Sequence, residues 1–104
     1  MAKYNQNRIS YQKQDDLLDE FCAAITKLKT KTEIKDFLKD ILNRQERLMI
    51  IRRLQIAAML VSGLTYAQIR KTLGVGEPTI ARVSRWLNFG RNGYKNILEK
   101  RRRS

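Results

Sequence analysis

The chain contains no histidine, a single cysteine and a single proline. With no imidazole and one thiol, a zinc site of the usual nitrogen and sulfur ligands cannot be assembled from one copy. Catalysis by Ser-His or Cys-His pairs is excluded for the same reason. A disulfide framework needs cysteine pairs, so the lone Cys22 points to a reducing, cytoplasmic compartment. The longest apolar run, residues 56–61, is far short of the roughly 20 residues that span a bilayer, so no membrane partner is expected. The first eight residues are polar and lack the apolar centre of a secretory signal. Glycine and the aromatics are sparse, which suits helices better than strands and turns. No phosphate-binding loop and no paired-acid motif is present, so neither an enzyme nor a resident cofactor is expected.

What is present is charge of one sign. The 104 residues, one domain's worth, carry 22 Lys and Arg against 10 Asp and Glu, a formal net charge of +12. The excess is uneven: residues 63–104 hold ten basic and two acidic side chains. A basic end of a domain is the electrostatic footprint of a polyanion binder. The run KRRR at 100–103 is the densest part of it. The acidic cluster Asp15, Asp16, Asp19 and Glu20 reads as a solvated helix face rather than a metal site.

Residues 1–10 read as a flexible polar arm, and 100–104 as a basic tail. Between them, 11–99 read as one all-helical domain. Leu17, Leu18, Phe21, Ile25 and Leu28 recur at helical spacing from Tyr11 onward. Cys22 falls beside Phe21 and is expected inside as a small apolar group. Thr30 with Glu33 forms a capping box for a second helix, whose expected buried face is Ile34, Phe37, Leu38, Ile41 and Leu42. Asn43 with Glu46 opens a third, which ends near Ser62 with Gly63 just beyond. This third helix is apolar over nearly its whole circumference between Met49 and Val61. Such a helix has to be surrounded, and a chain this short has few elements to do it. A homodimer is the simplest solution.

Residues 65–89 read as helix, tight turn, helix. Thr65 and Gln68 form a third capping box, Gly74 supplies the turn, and Gly76 or Glu77 caps the next helix with Pro78 in its first turn. With Ile80, Val83 and Leu87 turned inward, the opposite face carries Pro78, Ala81, Arg82 and Arg85. This is the pattern of a helix-turn-helix, whose second helix enters the major groove of double-stranded DNA. Arginine can donate two hydrogen bonds to guanine, and small apolar groups can meet the thymine methyl. Glu77 suits cytosine N4, the hydroxyls of Thr65 and Thr79 suit phosphates, and Arg70 and Lys71 suit the DNA backbone. Tyr66 completes the expected DNA-binding set.

The stretch GLTYAQIRKTLGVGEPTIAR at 63–82 resembles the helix-turn-helix of the Trp repressor superfamily. The long polar Arg70 after Ile69 fits that family, where most helix-turn-helix proteins place Ala or Gly. A fuller resemblance to the YerC/YecD-type branch runs from about Gln45 to Lys100. It includes RLQIAAML at 53–60, TIARVSR at 79–85, LNFG at 87–90 and Tyr94. The resemblance implies an all-α, intertwined homodimer with two DNA-reading heads, acting as a transcriptional regulator and most simply as a repressor. It also implies a ligand pocket. The two arginines that hold the family's tryptophan correspond to Arg53 and Arg82. The small residues beside the indole are replaced by Val83 and Trp86, so L-tryptophan is not expected as corepressor. Another small anionic effector at the arginines is left open. Competing readings are a basic accessory protein that coats nucleic acid without sequence choice, and a helical protein-interaction module.

Overall fold

A computed structural model describes residues 9–103, with side chains described over 9–99. Six helices follow in order and, among the described residues, no strand: α1 (Tyr11–Ile25), α2 (Lys31–Ile41), α3 (Arg44–Val61), α4 (Tyr66–Leu73), α5 (Glu77–Phe89) and α6 (Gly93–Arg103). Of the polar arm expected over 1–10, only Ile9 and Ser10 are described. Of the basic tail expected over 100–104, only the helical backbone to Arg103 is described. The chain divides into two compact units that meet between Ile41 and Leu42, inside the span suggested as one domain.

Helix starts are set locally. Ser10 Oγ accepts from the Lys13 amide at 3.1 Å and opens α1. The Glu33 amide donates to Thr30 Oγ1 at 3.1 Å, while Glu33 Oε1 accepts from the amides of Thr30 at 3.0 Å and Lys29 at 2.8 Å. Reciprocal boxes also close at Asn43 with Glu46 and at Thr65 with Gln68. All three expected boxes are therefore formed. Each satisfies amides that a helix start leaves without partners. Gly90 caps the end of α5. Asn92 breaks the path with φ +65°, a left-handed conformation that asparagine tolerates.

The first unit, α1 and α2, has one aromatic contact, Phe21 against Phe37, with ring centroids 6.2 Å apart. Neither helix buries a residue fully. Leu17, Leu18, Phe21, Ile25, Ile34, Leu38 and Ile41 are exposed, and Cys22 is exposed rather than enclosed. The expectation of buried faces on these helices, and of a buried Cys22, fails within one chain. Two helices cover each other along one line, and enclosing a full helix face takes more than one neighbour.

The second unit contains the core. Ile56 and Ala57 of α3, Ile69 of α4, Ile80, Val83 and Leu87 of α5, and Leu98 of α6 form one buried cluster. Leu54, Met59, Leu64, Leu73, Val75 and Tyr94 pack around it. Only the C-terminal half of α3 takes part. Its N-terminal half leaves Leu48, Met49, Ile50 and Ile51 about half exposed.

Ile69→Ala removes a side chain with no exposure at all. It is expected to cost about 2–5 kcal/mol in urea unfolding. The two backbone amides, Lys29 first, hold the Glu33 carboxyl below its ordinary value of 4.5. A depressed folded value stabilises above that pH and is lost as pH falls through it. Glu33→Gln should therefore flatten the part of the stability–pH profile that falls below pH 4.5.

Candidate nucleic-acid interface

The local path from α4 to α5 decides how the basic face is displayed. Thr65 spends its Oγ1 on the Gln68 amide at 3.2 Å, which starts α4. The helix ends at Gly74, whose φ of +67° lies in the left-handed region that glycine enters without steric cost. The Gly74 amide closes on the Arg70 carbonyl at 2.8 Å. Gly76, not Glu77, is the N-cap of α5, and it offers no side-chain cap. Glu77 and Pro78 then fill the first turn, where the missing proline N–H costs nothing.

Along α5, Ile80, Val83 and Leu87 are buried. At about 100° per residue this turns Pro78, Ala81, Arg82 and Arg85 outward, and all four are exposed, as is Thr79. On α4 and its cap, Thr65, Arg70 and Lys71 are exposed, while Tyr66 is half-buried against the core. Nine of the ten residues expected at DNA thus lie on open surface. Arg70 Nη1 lies 3.7 Å from Glu77 Oε2, so these two expected contacts also face each other across the turn.

Sequence reasoning misses Arg52. Its Nη1 donates to the Leu73 carbonyl, so α3 grips the last turn of α4. The two residues are 21 positions apart, and no local pattern connects them.

The residues expected to form one ligand pocket are divided between two hollows. Arg53, Arg82 and Val83 line a hollow of about 340 Å³, together with Arg52, Val75, Thr79 and α3 residues including Met49. Trp86 lines a different one of about 500 Å³, with Ile50, Leu54, Gly90, Arg91, Tyr94 and Ile97. Arg53 borders both. Val83 therefore shares a hollow with both arginines, whereas Trp86 shares one with Arg53 alone. Among the described residues, no three metal-ligating groups converge.

The family model described as Trp repressor protein matches residues 16–102. The uncharacterised protein YerC of Bacillus subtilis (strain 168) is 35% identical over 83 residues, which is 80% of each chain. A TrpR-like protein from Eubacterium eligens superposes with a TM-score of 0.76 at 34% identity, covering 82% of this chain and 88% of that one. A provisionally assigned Trp repressor from Staphylococcus aureus gives 0.77 at 36% identity, covering 84% and 87%.

Arg52→Met, which keeps the aliphatic stem but removes the donor, is expected to lower stability by about 1 kcal/mol in urea unfolding.

Proposed function

This chain belongs to the Trp repressor family, a family of regulators rather than of enzymes, and we propose that it is a homodimeric, sequence-specific DNA-binding repressor. It reads the major groove with α5, occludes a promoter by occupying its site, and works in the cytoplasm. The observation that carries this reading is the orientation of α5. Its apolar stripe is consumed by the core, and Ala81, Arg82 and Arg85 are left at the surface of the most basic part of the chain. Arginine at such a position donates to guanine O6 and N7, and Ala81 meets a thymine methyl. Thr65, Thr79 and Lys71 hold the backbone and set the register. Tyr66, half-buried, braces α4 from within.

Two observations support the homodimer. Apolar side chains on α1, α2 and the first half of α3 stay open in one chain, and exposed apolar faces mark interaction surfaces. Charge is divided as well: seven of the ten carboxylates lie within residues 11–41, against three in 42–104, where fourteen Lys and Arg are found. A second copy brings apolar face to apolar face and acid to base. It also gives two reading heads, which fit half-sites about 34–36 Å apart. Among the described residues, no helix is long and apolar enough to cross a membrane.

Val83 puts a branched side chain beside Arg53 and Arg82, which supports the reading that L-tryptophan is not the corepressor. The two guanidiniums still suit a smaller anionic effector.

Selection of bound fragments from random duplex DNA tests the reading. A palindromic preferred site is expected, and binding that follows salt alone, without preference, would replace it with a coating role. Arg85→Ala should cost about 1–3 kcal/mol and relax preference at one position of each half-site. Sedimentation should give twice the 12.2 kDa chain mass. Calorimetry with L-tryptophan should show no saturable heat.

A further inference from the structure

Carboxylates are scarce where the charge is densest. From Gly63 onward only Glu77 and Glu99 are acidic. Glu77 is thus the sole carboxylate of the helix-turn-helix, and it occupies the first turn of α5. That end of a helix attracts phosphate through free amides and a positive partial charge. A carboxylate there opposes the sequence-blind attraction that the rest of the segment builds.

Its partner is equally placed. Arg70 lies in the last turn of α4, and the 3.7 Å contact to Glu77 bridges the turn between the helices. Both side chains are more than half exposed, 56% and 62%. An ion pair this open adds little stability and exchanges partners readily. While it holds, the Arg70 guanidinium is directed at a carboxylate and not at DNA.

We propose, resting on the DNA-reading role of α5, that Glu77 is a specificity-determining residue that competes with phosphate for Arg70 and gives it up where a base-edge amino group engages Glu77. Cytosine N4 and adenine N6 donate into the major groove, whereas guanine and thymine present acceptors there. Over a donor, Glu77 accepts from the base and Arg70 moves to a phosphate oxygen. Over an acceptor, Glu77 meets lone pairs, keeps Arg70, and its charge opposes docking. A chain of net charge +12 otherwise holds any duplex. The ion pair makes one phosphate contact conditional on one correct base.

The test measures the wild type, Glu77→Gln, Arg70→Ala and the double variant. Each is titrated with salt on the selected duplex, on its single-base-pair variants and on a scrambled duplex. Each phosphate contact contributes about 0.9 to the slope of log affinity against log salt. Arg70→Ala should make the slope shallower by about that amount on the selected duplex and leave it unchanged on the scrambled one. Glu77→Gln should steepen the scrambled slope by about the same amount and lose roughly tenfold discrimination at one base pair. The double variant should return the scrambled slope to the wild-type value. Equal tightening of every duplex by Glu77→Gln, or equal slope changes on both duplexes from Arg70→Ala, overturns the coupling while α5 remains the reader. A wild type with no preferred duplex overturns both.

Discussion

The burial of the inner stripe of α5 is the constraint on which the rest of the interface depends. Ile80 is completely enclosed, and Val83 and Leu87 nearly so, in one cluster with residues of α3, α4 and α6. Each such side chain contributes about 1.5–3 kcal/mol by leaving water. A helix turned by one residue, about 100°, would expose Ile80 and bury a neighbouring position such as Ala81. No arginine needs to be held in place for Arg82 and Arg85 to face outward. Their display follows from apolar burial on the far side of the same helix.

The turn between α4 and α5 is held by different means. Gly74 adopts a left-handed conformation, and Gly76 starts α5 without a side-chain cap. Arg52 grips the Leu73 carbonyl from α3, and Arg70 faces Glu77 across the gap. These contacts add little to stability beside the apolar cluster, but they lie on the exposed side of the turn. A partner that competes for Arg70 or Glu77 therefore acts on the turn without disturbing the core.

Legibility in the sequence followed the distance over which each interaction acts. The capping boxes at Thr30, Asn43 and Thr65 were readable because donor and acceptor lie three residues apart. The inward stripe Ile80, Val83 and Leu87 was readable because helical periodicity places them on one side. Burial was not. Cys22, Ile34 and Leu38 look like core by spacing, yet all three are exposed in one chain. Spacing records which residues share a face, and burial depends on what that face meets. The pocket shows the same limit. Arg82, Val83 and Trp86 are close in sequence, yet Arg82 and Val83 line one hollow while Trp86, about one turn further along the helix, borders another.

The order of residues was sufficient for the all-helical class, most helix starts, the left-handed turn at Gly74 and the face of α5 that carries arginine. Each rests on steric, hydrogen-bonding or periodicity rules acting within about two turns of chain. Tertiary structure alone decided that Arg52 reaches the Leu73 carbonyl, that Arg70 pairs with Glu77, and that the core draws on only half of α3. It also decided that Arg53 stands between two hollows instead of inside one. These outcomes join residues separated by loops and turns, where small changes in helix direction move side chains by several ångströms, and no local pattern carries that information.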